Sequence, residues 1–565
     1  MGAHPYRRRG GTLALNEGPL IVQSDQTLLL EVGHPDSAEC RAAIAPFAEL
    51  ERSPEHVHTY RVTPLALWNA RAAGHDAEQV VDALLRWSRY PVPQALLVGV
   101  AETMDRYGRL ILEVDPRHGL VLRSGDIAVL EEVLRAKTVA PLVGARIDAS
   151  TVVVPGSERG RLKQALVKAG WPADDRAGYV DGAAFSIEVA GPESFTLRSY
   201  QRHAVEAFSA SGSGVVVLPC GSGKTLVGIA AMAEAGAHSL ILVTNIVAAR
   251  QWRDELLART TLRADDVGEY SGERKDIRPV TIATYQILTS RRGGLYPHHE
   301  IFSAEDWGLI VYDEVHLLPA PVFRMTADIQ SRRRLGLTAT LVREDGREAD
   351  VFSLIGPKRF DAPWRDIEAQ GWIAPAVCTE VRVTLSDDER MAYALAEPEE
   401  RYRVGATARS KLAVVERLCD LAVSHGEPTL VIGQYIDQLE ELARRLDAPV
   451  LTGKTPTRQR EVLYSQFRQG LIEVLVVSKV ANFSIDLPEA SVAIQVSGSF
   501  GSRQEEAQRL GRVLRPKADG RQARFFAVVS RDTNDQDFAA RRQRFLAEQG
   551  YAYQISDAET VTWPA

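Results

Sequence analysis

The sequence predicts an α/β protein with two parallel-sheet domains, preceded by an α/β N-terminal region made of a winged-helix-like module and a small α/β module. Three observations carry this. Branched apolar runs near 215, 239, 279, 308, 429, 473 and 492 read as strands buried on both faces. Helical patterns alternate with them, the rhythm of parallel βαβ units. Between the first strand and its helix stands Pro219-Cys220-Gly221-Ser222-Gly223-Lys224-Thr225, a tight glycine turn.

Composition sets bounds on the reading. At 565 residues, about three to five domains are expected. With 45% hydrophobic and 25% charged residues, the chain has the texture of a soluble globular protein. No apolar run nears the roughly 20 residues of a membrane span. The first residues lack the apolar core of a signal peptide, and Tyr6 stands where a myristoylation signal needs Ser or Thr. A cytoplasmic location is expected, with no membrane partner. Cys40, Cys220, Cys378 and Cys419 have no paired spacing, which argues against a disulfide framework or zinc site. The net charge of −7 gives no global pull on nucleic acid, so such binding needs a local basic groove.

In chain order, residues 19–23 and 27–32 form a predicted hairpin around Ser24-Asp-Gln. Thr63-Pro64 caps a helix, Asp76 starts a second through Trp87, and a third covers 95–106. A strand at 110–114 follows. These make the winged-helix-like module, 1–114; a plain helical interaction domain is the equal alternative. From 115 to 192 the pattern changes: a helix from Ser124-Gly-Asp to Lys137, a strand at 151–154, a helix at 158–169 and an alternating strand at 183–189.

Residues 193–365 carry the nucleotide chemistry. The 219–225 turn reads as a phosphate-binding loop for ATP, with Lys224 reaching the β/γ-phosphates and Thr225 holding Mg²⁺. The general pattern asks for glycine where Leu218 stands. Upstream, Arg198 and Gln201 begin a helix, and the glutamine amide suits an adenine edge. Asn245, with Arg250 on the next helix, and Thr284 with Tyr285 stand at strand ends, where phosphodiester contacts gather. Helix capping is the better reading of each taken singly. Asp313 and Glu314 end a buried strand. Two adjacent carboxylates there call for a cation: Asp313 suits Mg²⁺, and Glu314 suits activating the attacking water. His316 has no second ligand suitably spaced and suits a coupling hydrogen bond.

Asp313-Glu-Val-His316 together with Thr338-Ala-Thr340 resembles the superfamily 2 helicases. Arg343-Glu344-Asp345 and the run 354–364 look like the XPB (xeroderma pigmentosum group B) family of DNA helicases and translocases. The likeness spans about 195–553. It implies two RecA-like domains, 193–365 and 366–565, closing over Mg-ATP, with DNA-stimulated hydrolysis and 3′-to-5′ unwinding in repair or transcription. It makes 115–192 a damage-recognition-like module and Thr338 and Thr340 coupling residues. Arg343, Glu344 and Asp345 become an unwinding motif, where spacing alone reads a charged surface turn. Within 503–515, Gln508, Arg512 and Arg515 match the family's arginine-finger motif, where the plain alternative is a solvated helix. Thr452, Gly453, Ser478 and Lys479 fit its DNA-contacting motifs. The implied partners are single strands, duplex junctions and forks, with a repair nuclease or transcription and repair factors.

Two departures stand out. Ala481-Asn482 replaces the family's Gly-Asp. The thumb-like insertion, near 385–406, is short and acidic, a poor phosphate grip that predicts weaker strand separation than translocation. Two rivals are an RNA-acting or protein–DNA-remodelling ATPase with the same engine, and a binding scaffold with a dead site.

Overall fold

The computed structural model describes residues 18–53, 56–189, 196–219, 221–293, 295–330, 332–339, 348–362, 376–478, 490–498, 522–548, 552–561 and 563. The chain divides into two compact units, Met1–Asp105 and Arg106–Ala565.

In the first unit, β1 (Leu20–Val22) and β2 (Thr27–Glu31) form the expected hairpin, with Gln26 at φ 71° in its turn. Helix α1 (Ser37–Ile44), β3 (Glu49–Arg52) and β4 (Val57–Arg61) follow, and the antiparallel order is β1-β2-β4-β3. These three elements escape a reading by period because they are short. Only Leu50 of β3 is buried, while Glu51 on its other face pairs with Arg61 at 2.5 Å. Helix α2 (Pro64–Ala72) is capped by Thr63 Oγ1, which accepts the Ala66 N–H. Helix α3 (Ala77–Trp87) begins with a capping box of Asp76 and Gln79, and α4 (Gln94–Arg106) comes next.

The second unit opens with β5 (Leu110–Asp115), β6 (Gly119–Ser124), α5 (Ile127–Arg135), β7 (Arg146–Asp148), β8 (Thr151–Val153), α6 (Arg159–Lys168) and β9 (Ala173–Asp175). Its sheet order is β7-β8-β6-β5-β9. The strand at 110–114 therefore belongs to this sheet, not to the module before it. Leu110 and Leu112 are fully buried against Leu122, Leu130 and Leu166, so its apolar face is used here. The strand expected at 183–189 is also absent. That segment makes only isolated bridges, Ala184 to Ala237 and Val189 to Thr260. Its alternation has another use: Phe185, Ile187 and Val189 pack against the following domain's core.

The first parallel domain runs through α7 (Ser199–Ser209), β10 (Ser213–Val217), α8 (Lys224–Ala235), β11 (Ser239–Val243), α9 (Ile246–Arg259), β12 (Val267–Tyr270), β13 (Val280–Thr284), α10 (Tyr285–Thr289), α11 (Ile301–Ala304), β14 (Leu309–Asp313), α12 (Ala320–Asp328), β15 (Arg333–Thr338), α13 (Glu348–Leu354) and β16 (Lys358–Asp361). The order β12-β13-β11-β14-β15-β10-β16 places the phosphate-loop strand near one edge and β12 at the other. All residues of β10, β11 and β13 are buried, which explains why they are built mostly from apolar residues, with small hydroxyls between them.

The second parallel domain contains β17 (Ala376–Val383), α14 (Asp387–Leu395), α15 (Pro398–Ala406), α16 (Ser410–Ser424), β18 (Thr429–Gly433), α17 (Ile436–Arg445), β19 (Val450–Leu451), α18 (Thr457–Arg468), β20 (Val474–Ser478), β21 (Val492–Gln495), β22 (Ala523–Ser530), α19 (Asn534–Glu548) and β23 (Ala552–Asp557). Its order is β19-β20-β18-β21-β22-β17-β23, with every pairing parallel. The insertion near 385–406 is the helix pair α14–α15.

The small α/β module is seated on the first parallel domain through α6. A Cβ on Gly160 would lie 2.3 Å from the Ala327 carbonyl oxygen, so only glycine allows α6 this close to α12. Beside it, Asp175 receives Arg159 at 2.7 Å and Lys163 at 3.0 Å. Lys163 also donates to Gln330 Oε1 at 2.9 Å. Gln330 Nε2 and the fully buried Arg334 both donate to the Leu354 carbonyl, at 2.9 and 2.8 Å. Burial pushes the Asp175 carboxyl upward, but Lys163 and Arg159 outweigh it and hold it well below the usual carboxylate range. Among the described residues no helix is long and apolar enough to cross a membrane.

Candidate nucleotide site

The phosphate loop takes its shape from two glycines in the left-handed region, Gly221 at φ 79° and Gly223 at φ 83°. Gly223 is needed twice, since a Cβ there would stand 2.5 Å from Gln201 Nε2. Ser222 Oγ donates to the Pro219 carbonyl at 2.6 Å and closes the turn. Lys224 and Thr225 then open α8. Leu218 occupies the position where the general pattern has glycine. Its side chain is buried in the core, and its N–H donates to the Thr338 carbonyl at 2.9 Å, tying β10 to β15.

Gln201 is buried and works on the loop itself. Its Oε1 accepts the Arg198 N–H at 2.9 Å, and its Nε2 donates to the Ser222 carbonyl at 2.8 Å. Tyr200 Oη donates to the same carbonyl at 2.6 Å and accepts from Arg198 Nη1 at 3.1 Å. Tyr200 was not singled out by the sequence reading. Its place immediately before Gln201, on the same helix start, is the one signal available.

A chain of short contacts links the loop to the acidic strand end. Lys224 Nζ lies 3.4 Å from the Leu218 carbonyl and 3.9 Å from Glu314 Oε1. Glu314 Oε2 lies 3.5 Å from His316 Nδ1 and is buried without a hydrogen bond. The His316 ring bonds Thr338 Oγ1 at 2.7 Å, and the Thr338 carbonyl returns to Leu218. Glu314 itself adopts φ 50°, ψ 54°, the left-handed region that a non-glycine residue enters at a cost. This turns its carboxylate out of the strand toward Lys224.

Asp313 faces a different set. Trp252 Nε1 donates to Asp313 Oδ2 at 2.9 Å, and Tyr285 Oη donates to the Asp313 carbonyl at 2.9 Å. Burial, and then the neighbouring Glu314 charge, push the Asp313 carboxyl up to about 6, against the pull of Trp252 and Lys224. A buried carboxyl pair with one orphaned oxygen beside a lysine and a helix N-terminus fits a bound phosphate chain with its cation. Trp252 is the second residue the sequence did not assign. It stands two residues after Arg250 on the helix following β11, where the sequence gives it no role of its own.

The residues expected at the nucleic-acid face divide. Asn245 caps α9, its Oδ1 accepting the Ala248 N–H at 3.0 Å, and Thr284 caps α10. Arg250 is exposed and pairs with Glu273 at 3.0 Å. Tyr285 is buried and turned inward to the Asp313 strand. Thr452 Oγ1 accepts the Lys454 N–H at 3.2 Å, and the Gly453 carbonyl accepts from Arg460 at 2.9 Å. Ser478 ends β20 and is buried. Cys220, Thr340, Arg343, Glu344, Asp345, Lys479, Gln508, Arg512 and Arg515 lie outside the described residues, as do Ala481 and Asn482.

Comparison with known proteins gives consistent matches along the chain. The model described as ERCC3/RAD25/XPB C-terminal helicase matches residues 367–562. Type III restriction enzyme, res subunit, matches 194–343, and helicase conserved C-terminal domain matches 20–148. A "DNA 3′-5′ helicase XPB" of Kineococcus radiotolerans is 72% identical, over 97% of this chain and 98% of that protein. One of the same name from Mycobacterium tuberculosis is 69% identical, over 98% of this chain and 100% of that protein. A "general transcription and DNA repair factor IIH helicase/translocase subunit XPB" of Antonospora locustae is 33% identical, over 96% of this chain and 82% of that protein.

Proposed function

We propose a mechanism that starts from one fact: the chain belongs to the XPB family of DNA 3′-5′ helicases. It is a DNA-dependent ATPase that moves along DNA and opens it. The observation that carries the mechanism is the closed path of contacts Lys224–Glu314–His316–Thr338–Leu218 around the phosphate loop.

In this reading the loop amides and Lys224 bind the phosphates, and Lys224 exchanges its contact with the Leu218 carbonyl for the β/γ oxygens. Thr225 and Asp313 would hold Mg²⁺, which neutralises charge as the terminal phosphoryl is transferred. Trp252 keeps Asp313 oriented and favours its ionised form. Glu314, with a buried and otherwise unbonded Oε2, accepts a proton from the attacking water. Arg198 and Gln201 hold the loop, and the glutamine amide would turn to adenine by exchanging its bond to Ser222. By the family's arginine-finger motif, Gln508, Arg512 and Arg515 would supply charge to the terminal phosphate.

Asn245, Arg250, Thr284, Thr452, Gly453, Ser478 and Lys479 would line the DNA track, while Tyr285, buried and bonded to the Asp313 carbonyl, would support the strand end beside it. His316, Thr338 and Thr340 would relay the nucleotide state to it, and Arg343, Glu344 and Asp345 would act where strands part. Forks, junctions and single strands are the substrates this arrangement suits. The IIH relative supports transcription and repair factors as partners.

Movement along DNA is the stronger half of the reading. Helices α14 and α15, at the thumb position, carry Asp387, Asp388, Glu389, Glu399 and Glu400 in their first turns. Such a surface repels phosphates. The test is ATP hydrolysis with no nucleic acid, single-stranded DNA, forked DNA and RNA, with strand separation followed on the fork. Stimulation by DNA above RNA is expected; equal stimulation by RNA would redirect the assignment.

A further inference from the structure

The helix pair α14–α15 has an inner side as well as an acidic one. Asp387, Asp388, Glu399 and Glu400 are exposed. The inner side is seated on the ends of β21 and β22, where a parallel sheet presents its ligand side. Tyr402 of α15 is 1% exposed, with its ring edge-on to Phe538 of α19 at 4.7 Å. Its hydroxyl donates to the Gly498 carbonyl at 2.6 Å. Tyr393 of α14 meets the start of α19: its hydroxyl donates to Asn534 Oδ1 at 3.0 Å and accepts the Asn534 N–H at 2.8 Å. Ser530 Oγ, at the end of β22, donates back to the Gly405 carbonyl of α15 at 2.7 Å.

Beside Tyr402, a buried lysine ties the same two strands together. Lys411 of α16 donates to the Val496 carbonyl at 3.0 Å, the Val528 carbonyl at 2.9 Å and Asp535 Oδ2 at 2.6 Å. Asp535 Oδ2 also accepts the Ser530 N–H at 3.0 Å. Ser497 Oγ accepts the Gln434 N–H at 2.9 Å. Val496, Ser497 and Gly498 are thus pinned in succession, by α16, by the loop after β18 and by α15. The third pin alone comes from the helix pair.

The place of this pin gives it a consequence for the reaction. From Gly498 the sequence runs on to Gln508, Arg512 and Arg515. A group that stabilises the transferring phosphoryl has to be held closely, since a misplacement of about 1 Å can cost about 10²-fold in rate. The Tyr402–Gly498 bond is buried, so a carbonyl that lost this donor would have no water in its place. The cations of the pair are used within the domain: Arg390 pairs with Asp387 at 2.6 Å, and Arg403 with Asp437 at 3.4 Å.

We propose that Tyr402 is a positioning residue for ATP hydrolysis, and that α14–α15 works as a brace on the end of β21 rather than as a grip on DNA. Through the Gly498 carbonyl, Tyr402 sets where the chain leading to Arg512 departs from the sheet. It touches neither nucleotide nor DNA. The inference rests on the reading of Arg512 as an arginine finger.

The test is a double-mutant cycle on the full chain: wild type, Tyr402→Phe, Arg512→Ala and the double variant. DNA-stimulated ATP hydrolysis is followed in single turnover with protein in excess, so that slow variants stay readable. Tyr402→Phe keeps the ring against Phe538 and deletes only the donor. Its maximal rate should fall about ten- to a hundredfold, with the ATP concentration for half-maximal rate unchanged. On the Arg512→Ala background the same change should cost little more, because the arginine it places is already gone. Should Tyr402→Phe melt below the assay temperature, Ser530→Ala, which cuts the tie to Gly405 instead, carries the same expectation. A wild-type rate in the folded variant, or equal fold losses on both backgrounds, would overturn the brace. A wild-type rate in Arg512→Ala alone would sink the arginine-finger reading, and the brace with it.

Discussion

The indole N–H of Trp252 points at Asp313 Oδ2, 2.9 Å away, so a residue on α9 sets the state of a carboxylate on β14. Burial and the Glu314 charge raise the Asp313 carboxyl to about 6, and this hydrogen bond opposes them. Only the ionised form can take a cation. Trp252→Phe keeps an aromatic ring and deletes the donor, so Asp313 should ionise at still higher pH. The acid limb of ATP hydrolysis should move upward and the Mg²⁺ requirement rise about tenfold or more, the scale of a hydrogen bond to a charged group. Unchanged pH and Mg²⁺ profiles would show that the contact is only structural.

Lys224→Ala and Glu314→Gln should both abolish turnover, by different routes. The first removes a phosphate contact and should weaken nucleotide binding. The second keeps the shape and hydrogen-bonding of the side chain but not its basicity, and should cost about 10²–10⁴-fold in hydrolysis with binding largely retained. Fluorescent-nucleotide titration and phosphate release separate the two. Substantial turnover in Glu314→Gln would remove it from the role of base.

Thr338→Val preserves β-branching and deletes the hydroxyl that bonds His316 at 2.7 Å. If this contact relays the nucleotide state, stimulation by DNA should fall severalfold while basal hydrolysis changes less. Parallel loss of both would assign Thr338 to the site itself.

The small α/β module should prove inseparable from the first parallel domain. Deleting 1–105 removes one compact unit and should leave a folded ATPase. Deleting 1–192 strips Lys163 from Gln330 and the Tyr179 ring from Arg334, and should give a poorly folded product. A well-folded, active 193–565 fragment would refute this.

Asp175→Asn breaks a buried ionic cluster and should cost about 3–5 kcal/mol. The Asp175 carboxyl titrates below its unfolded value, so its contribution to stability is complete above about pH 4 and lost as pH falls further. Melting temperature followed from pH 6 to pH 3 should therefore fall more steeply in wild type than in the variant. Equal slopes would mean that other carboxylates govern the acid response.

Much of this protein follows from local pattern. Strands buried on both faces are mostly apolar, so β10, β11, β13, β18 and β21 announce themselves. A phosphate loop needs Gly221 and Gly223 at positive φ, and caps need the residue types found at Thr63, Asp76 and Asn245. Adjacent acids at the end of β14 are legible for the same reason, since only chemistry repays their burial. Tertiary structure decided what those residues meet. The strand at 110–115 reads equally well in either module until its leucines find a core, and 183–189 has a strand's period without a ladder. Trp252 and Tyr200 look like ordinary core aromatics. Their polar tips gain meaning only because folding brings them to Asp313, 61 residues away, and to Ser222, 22 residues away. A hydrogen bond needs two partners in place, and sequence period describes one element at a time.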